Sequence, residues 1–410
     1  MDIPGMLGKS PERRPPGARS LVSLLAIQFL AGAVATPLLA FLPLYVEQKM
    51  GLGQAFTADV RAIWLGGMVV FALVGGAMSD SMGRKLTFVV GLSGPLVGAA
   101  IFATESRWLV GFVIPAYLGV AEGLFVTAGQ SYLMEVSPRG RLALMTALYF
   151  SGFTVGSMAG GLAGGAVAER GGFGALGLFV AAGSVAILAL ALFLIPGIDE
   201  PGRGGASLVV SLRGYGPLLR RRDVQLLVAM QTLRTFFWGA FQLMGPVMMD
   251  RLTGSKFVVG AFVAATTGVG LVSMLFVGRY SDRHGRRLPV LITLAGSGIA
   301  AICLGLFAES VAGLFVAGTL GGAFAWALSG QMTPIAREFG GERESGRAMG
   351  LVNAPWGLAA LGGAQIGGRM VAGNASEAFY LVGALALLAL PCAWWLFRQG
   401  APARSGEAAF

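Results

Sequence analysis

The sequence predicts an all-α membrane protein of about twelve transmembrane helices, arranged as two six-helix halves. Three observations lead to this prediction: too few polar residues for a water-soluble globule, a series of apolar runs that could each cross a bilayer, and a polar loop that occurs twice. Of the 410 residues, 55% are hydrophobic and only 12% are charged, and the mean hydropathy is +0.73. A chain of this composition must be solvated by lipid.

The apolar runs give the number of helices and the division into halves. A spanning helix needs about 20 apolar residues, and barrel strands would instead alternate over about 10 residues. The runs are residues 20–47, 60–80, 86–105, 107–135, 141–168, 173–195, 223–250, 257–281, 288–308, 310–337, 346–371 and 376–397. We therefore predict a cytoplasmic tail (1–19), a six-helix bundle (20–196), a cytoplasmic linker (197–222), a second bundle (223–397) and a cytoplasmic tail (398–410).

The basic residues predict the orientation. With the amino terminus inside, 22 of the 30 basic residues lie on the cytoplasmic side and seven lie outside, among them Arg61, Arg251 and Arg369. This bias follows the positive-inside rule and predicts that both termini are cytoplasmic in a bacterial-type inner (plasma) membrane. The net charge of +10 is explained by topology, so no nucleic-acid partner is expected.

A polar loop occurs at equivalent places in the two halves. The first copy is Gly76-x-x-x-Asp80-x-x-Gly83-Arg84-Lys85, and the second is Gly278-x-x-x-Asp282-x-x-Gly285-Arg286-Arg287, 202 residues later. The last glycine of each copy permits a tight turn with positive φ, and each aspartate can pair with the nearby arginine.

Two copies of this loop on a twelve-helix frame resemble the signature loop of the major facilitator superfamily. The resemblance implies the major facilitator fold, with a substrate bound near the midplane between two bundles that rock against each other. It also implies that the loops hold a cytoplasmic gate, although a purely structural clasp is the alternative. The gating residues would be Asp80, Gly83, Arg84, Asp282, Gly285, Arg286 and Glu135. A solvated end cap of the fourth span is the alternative for Glu135.

The fifth span carries a stripe of glycines, Gly156, Gly160, Gly161, Gly164 and Gly165. The stripe resembles the antiporter motif of exporters in this superfamily, except that Gly161 replaces the usual proline. Small residues at this spacing make a flat face on which another helix can pack closely or rock. Generic close packing is the alternative interpretation.

The fourth span contains an ionisable residue, Glu122. Drug and proton antiporters of this superfamily carry a conserved arginine about one turn earlier in this helix, and Gly119 stands at that position here. An ionisable group at this depth is costly and usually faces a cavity or a partner. Removal from water favours the neutral acid. Glu122 is therefore predicted to bind a proton or the substrate, with a structural hydrogen bond as the alternative.

The seventh span places Gln231, Arg234, Trp238 and Gln242 on one helical face that cannot comfortably contact lipid. The resemblance implies that spans 1, 4, 7 and 10 line the cavity, so Glu122 and Arg234 would approach from opposite halves. A structural anchor is the alternative for Arg234. Further candidate contacts are Gln28, Thr36, Gln130, Trp326, Gln331, Asn353, Trp356 and Gln365.

The leading functional prediction is export of an amphipathic or drug-like organic molecule by proton antiport. The alternative is efflux or flipping of an anionic metabolite, a lipid-like molecule, a sugar or a siderophore-type substrate, with or without proton coupling. No phosphate-binding Gly-x-x-x-x-Gly-Lys-Ser/Thr run is present, and no nucleophile, base and metal constellation points to an enzyme. We expect no cofactor and no metal, and a monomer whose partners are a small organic substrate, protons and the lipid bilayer.

Overall fold

The computed structural model describes residues 18–136, 142–195, 219–340, 345–370 and 373–398, with side chains omitted for parts of these ranges. The amino-terminal half contains α1 (Ala18–Gln48), α2 (Gln54–Met82), α3 (Arg84–Leu92), α4 (Gly94–Ala99), α5 (Ile114–Val136) and α6 (Leu142–Leu194). A 3₁₀ segment, Ala100–Ala103, extends α4, and a π-helical segment, Leu109–Val113, leads into α5.

The carboxy-terminal half is more regular. It consists of α7 (Arg222–Thr253), α8 (Lys256–His284), α9 (Arg287–Leu306), α10 (Val311–Gly340), α11 (Ser345–Met370) and α12 (Ala375–Arg398). The predicted linker lies almost entirely outside the described residues.

Helix α6 contains two membrane crossings. Its 53 residues would span about 80 Å if straight, far more than the roughly 30 Å of a bilayer core. The chain bends at Gly172, where φ is 69°, a conformation that glycine adopts without steric cost. The predicted break between the fifth and sixth spans at residues 168–173 therefore coincides with this bend.

The described helices account for the twelve predicted crossings. Nine stretches of the described chain are long and apolar enough to span a membrane, and one of them is the 47-residue stretch Leu148–Leu194, which holds two crossings. The more polar helices α7 and α11 supply the other two. Their polar residues explain this difference, because α7 carries Arg234 and several amides.

The two halves repeat the same packing scheme. In the first half, α1 packs on α6 and α2 packs on α5; in the second half, α7 packs on α11 and α8 packs on α10. Across the halves, α2 contacts α11, α6 contacts α8 and α1 contacts α7. The chain therefore has the major facilitator architecture, two pseudo-symmetric six-helix bundles joined along a central seam.

Candidate functional site

A small cavity lies on the seam between the two halves. It measures about 120 Å³ and is lined by Thr36, Leu39, Ala40, Phe153, Ser157, Trp238, Phe241, Gln242, Pro246, Phe262, Val263, Thr266, Thr267 and Trp326. These residues come from α1, α6, α7, α8 and α10. The predicted residues Thr36, Trp238, Gln242 and Trp326 are among them, whereas the sequence did not single out the contributions of α6 and α8.

Prolines inside the helices release backbone carbonyls near this cavity. A helical carbonyl normally accepts from the N–H four residues later, and proline has no N–H to donate. Pro43 in α1 therefore leaves the carbonyl of Leu39 without its helical donor, and Pro246 in α7 does the same for Gln242. Both released carbonyls belong to cavity-lining residues, and the carbonyl of Leu39 accepts a hydrogen bond from Arg61 instead.

Glu122 lies where α5 meets α2 and α1. The indole Nε1 of Trp64 donates a hydrogen bond of 2.5 Å to Glu122 Oε2. The guanidinium of Arg61 is close enough to interact electrostatically with the carboxylate, although the two groups do not form a direct ion pair. Trp64 and Arg61 are only 5% and 7% exposed, whereas Glu122 keeps some accessible surface.

The position of Arg61 differs from the predicted topology. The apolar run begins near residue 60, and this pattern predicts that Arg61 lies outside the membrane. The structure begins α2 at Gln54, which places Arg61 two turns inside the helix, where it is buried. Its Nη2 donates to the released carbonyl of Leu39 at 3.4 Å, and its Nε donates to no described residue. Arg61 therefore links Glu122 to the cavity wall.

Arg234 is a buried cation in the opposite half. Its side chain is 5% exposed. Nε donates to Gln231 Oε1 at 2.7 Å, as their shared helical face predicted, and Nη1 donates to Ser329 Oγ at 3.2 Å and to the carbonyl of Ala325 at 3.5 Å. These acceptors are all neutral, and no carboxylate in the described part of the chain pairs with Arg234.

Glu122 and Arg234 thus do not pair with each other, although the sequence suggested that they would approach from opposite halves. Glu122 finds its partners on α2, and Arg234 finds its partners on α7 and α10. The two ionisable groups therefore form two separate polar sites, one in each half, on either side of the seam.

The seam is sealed at one end, which we call the far end: the end where α1 and α7 finish and α2 and α8 begin. Arg251 Nη2 pairs with Glu47 Oε1 at 2.7 Å, and Gln48 donates to Asp250. Glu169 accepts from the backbone N–H of Lys256 at 2.6 Å. Each contact joins one half to the other.

A second group of contacts joins α2 to α11 near the same end. Arg369 pairs with Asp59 at 3.1 Å, and Gln365 donates to the carbonyl of Ala58 at 2.8 Å. Every hydrogen bond or ion pair that joins two described residues across the halves lies in these far-end groups. Gln365, a candidate ligand contact, is therefore part of this seal.

The glycine stripe of α6 has two faces with different partners. Gly156 and Gly160 lie against the backbone carbonyls of Phe29 and Ala33 in α1, and Gly164 lies against Pro37. Because Pro37 has no N–H, the carbonyl of Ala33 accepts no helical hydrogen bond from it. Gly161 and Gly165 instead lie against α8 of the other half, around Gly260. The predicted flat face therefore serves both internal packing and the contact between halves.

The repeated loops are only partly described. Gly83 and Gly285 have φ values of 87° and 86°, which confirms the predicted positive-φ turns. Asp282 is exposed, and no ion pair joins it to Arg286 or to any other described residue in this conformation. The side chains of Asp80, Arg84 and Glu135 lie outside the described residues, and the gating role of the loops stays a prediction.

The remaining candidates lie away from the cavity wall. Gln28 and Gln331 are 1% and 2% exposed, and Nε2 of Gln28 donates to none of the residues that the structure describes. Gln130 and Trp356 are partly buried, and the side chain of Asn353 lies outside the described residues. A ligand role for these residues stays a prediction.

A twelve-helix bundle with a largely aromatic cavity on the seam between two matched halves has the architecture of membrane transporters built from two repeats around a central site. The model of the Major Facilitator Superfamily matches residues 24–271 and, in a second match, residues 227–410. The chain belongs to this family of transporters.

Several known proteins resemble parts of the chain. The multidrug efflux pump LfrA of Mycolicibacterium smegmatis is 29% identical over 221 residues, which cover 51% of this chain and 42% of LfrA. The gallate transporter of Pseudomonas putida is 30% identical over 125 residues, covering 30% of this chain and 27% of the transporter. The chain thus matches less than half the length of these relatives.

Solved structures resemble the fold over almost the whole chain. A POT family transporter in complex with 5-aminolevulinic acid superposes with a TM-score of 0.77 at 11% identity, covering 93% of this chain and 96% of that one. The nucleoside transporter NupG, as a D323A mutant, gives a TM-score of 0.73 at 14% identity, covering 92% and 99%. At these identities the likeness concerns the fold alone.

Proposed function

We propose that this chain is a secondary active exporter that moves an amphipathic organic molecule by proton antiport. The end opposite the far end, where the excess of basic residues lies, is then cytoplasmic. Sealing and opening of the far end would give the alternating access that this fold performs.

The observation that carries the proposal is the environment of Glu122. Burial favours the neutral acid, whereas the nearby Arg61 and the hydrogen bond from Trp64 favour the carboxylate. Because the carboxylate and the guanidinium are near but not bonded, a small helix movement changes the balance between these opposing influences. A group under such opposing influences is suited to take up a proton in one conformation and release it in another.

Arg61 would couple protonation of Glu122 to the wall of the substrate cavity. It interacts with Glu122 on one side and donates to the carbonyl of Leu39, a cavity-lining residue, on the other. Protonation of Glu122 would remove the negative charge that holds Arg61 near α5. The guanidinium would then be free to strengthen its contact with α1, and this would shift the wall of the cavity. Spatial continuity motivates this route, and coupling energies must test it.

The cavity wall supports an organic substrate with both apolar and polar parts. Five aromatic side chains, Phe153, Trp238, Phe241, Phe262 and Trp326, supply the apolar surface. Gln242 and three threonines supply polar groups that could orient a ligand. LfrA, a multidrug efflux pump, and the gallate transporter, which each resemble part of this chain, are compatible with organic substrates of this kind.

Replacing Glu122 by glutamine should abolish gradient-driven transport because the amide cannot carry a proton. Everted membrane vesicles with an imposed pH gradient would be offered two fluorescent amphipathic dyes, cationic ethidium and anionic anilinonaphthalene sulfonate. We expect gradient-dependent accumulation of at least one dye by the wild type, and at least a ten-fold lower rate in Glu122→Gln.

The matched control is Glu309→Gln, which removes a carboxyl that is exposed and makes no described contact. Its transport should equal that of the wild type. Unchanged dye accumulation in Glu122→Gln would remove the proton role of this residue. Absence of gradient-dependent accumulation of either dye by the wild type would contradict the proposed exporter function.

A further inference from the structure

Arg234 lacks a counter-ion in the described part of the protein. Its guanidinium uses Nε and Nη1 for three bonds to neutral oxygens, and Nη2 donates to no described residue. The side chain is nevertheless 95% removed from solvent, since only 5% of its surface is exposed. A buried charge with neutral partners only is unusual, because such charges are normally paired.

The position of Arg234 ties it to the cavity. Trp238, which lines the cavity, follows Arg234 by one turn on α7. On α10, Arg234 contacts Ala325 and Ser329. Trp326, between these two residues in the sequence, also lines the cavity. The indoles of Trp238 and Trp326 meet edge to face, with ring centroids 5.9 Å apart. Ser329 is itself exposed. Arg234 itself does not line the cavity, but it lies one helical turn from Trp238 and contacts the turn of α10 that carries Trp326.

We propose that Arg234 receives the carboxylate of the transported molecule, and that the substrate is a small aromatic or otherwise flat carboxylic acid. This inference rests on the proposed transport function and names its substrate class. A guanidinium binds a carboxylate through two parallel N–H groups, and the free Nη2 supplies donors for such a contact. The flat body would pack against Trp238 and Trp326.

The size of the cavity supports a substrate with one ring. Its volume of about 120 Å³ is close to that of an apolar cavity of about 150 Å³ that holds one benzene molecule. Drug-sized ligands occupy pockets of about 300–1,000 Å³. A larger molecule would require the seam to widen, whereas a single ring fits with little rearrangement.

The ligand pair benzoate and benzamide tests the inference, because the two molecules have nearly the same shape and differ in charge. Binding to purified full-length protein would be measured by titration of tryptophan fluorescence, with no gradient present. We expect the wild type to bind benzoate at least ten-fold more tightly than benzamide. Arg234→Gln should lose this ten-fold preference while its benzamide affinity changes less than two-fold.

Two further variants make the result decisive. Arg398→Gln removes an exposed arginine with no described partner and should bind both ligands as the wild type does. Arg234→Lys keeps the charge but not the planar fork, and it should weaken benzoate several-fold and leave benzamide unchanged. Arg234→Lys also decides the matter if Arg234→Gln cannot be purified in folded form.

The inference is overturned if the wild type fails to prefer benzoate, or if the Arg234 variants keep the wild-type preference. It is also overturned if benzamide binding falls as much as benzoate binding, because Arg234 would then act structurally. The test is independent of the proton proposal: loss of the Glu122 role leaves these binding results unchanged, and failure here leaves the dye transport results unchanged.

Discussion

Replacing Gly160 by leucine is expected to remove most of the folded protein. A Cβ at this position would overlap the carbonyl of Ala33 in α1, within the same half. The helix backbones would have to separate, and overpacking of this kind typically costs about 1–3 kcal/mol, occasionally more. Fluorescence-detected size-exclusion chromatography should show a large loss of the monodisperse peak and a lower unfolding temperature for whatever remains.

Gly66→Leu is the matched control. Gly66 is also a helical glycine of the amino-terminal half, but a Cβ there meets no atom within 4 Å. Its yield and unfolding temperature should be close to those of the wild type. Normal yield and stability for Gly160→Leu would mean that α1 and α6 do not pack through backbone contact at this position.

Replacing Gly260 by leucine should have a different effect, because this glycine faces the other half. A Cβ on Gly260 would overlap the carbonyl of Gly161 and approach Gly165, both in α6. The overlap lies between the halves and not within either one, so we expect each half to fold but the halves to stay too far apart to seal the far end. We expect near-normal yield, at least a ten-fold loss of transport and a shift toward conformations in which the far end is open.

Cysteine cross-linking measures this shift. Glu47 and Arg251, which form an ion pair across the far end, would both be replaced by cysteine after the native Cys303 and Cys392 are changed to alanine. The cross-link should form readily in this background and poorly when Gly260→Leu is added.

Gly66→Leu again serves as control, and it should leave the cross-linking yield unchanged. Equal cross-linking with and without Gly260→Leu would contradict the role of the α6–α8 contact in sealing the far end. Loss of the folded protein in Gly260→Leu would contradict the expectation of near-normal yield, because the contact would then be needed for folding.

Much of the fold could be predicted because each crossing must satisfy its own backbone hydrogen bonds in lipid. Long apolar runs therefore identify helices one at a time, without knowledge of their neighbours. Local geometry was equally accessible: the glycines of the repeated loops adopt the predicted positive φ, and Gln231 and Arg234 share the predicted helical face.

The partners of the buried charges could not be predicted in the same way. A hydropathy pattern marks where a helix becomes apolar, so it placed Arg61 at the edge of the second span, although α2 begins two turns earlier. Glu122 meets Arg61 and Trp64 because α5 packs on α2, a tertiary contact with no trace in local sequence. The polar residues just before residue 60 were the one feature of the sequence that could have indicated the earlier start of α2.

The glycine stripe likewise could be predicted to pack closely, whereas its packing partners could not be predicted. Its spacing predicted close helix packing, which the structure confirms, but five glycines over three turns span two faces of α6. The spacing alone cannot say which glycines meet α1 and which meet α8 of the other half. The prolines of α1 and α7 likewise predict released carbonyls, and only the fold shows that these lie at the cavity.

The central claim is that Glu122 exchanges a proton in the folded transporter, and infrared difference spectroscopy of the purified protein tests it without any substrate. Spectra recorded on acidification should show the carbonyl band of a newly protonated carboxylic acid in a non-aqueous environment. The account predicts this band in the wild type and in Glu309→Gln, and its loss in Glu122→Gln. An unchanged band in Glu122→Gln would contradict the account, because the titrating carboxyl would then lie elsewhere.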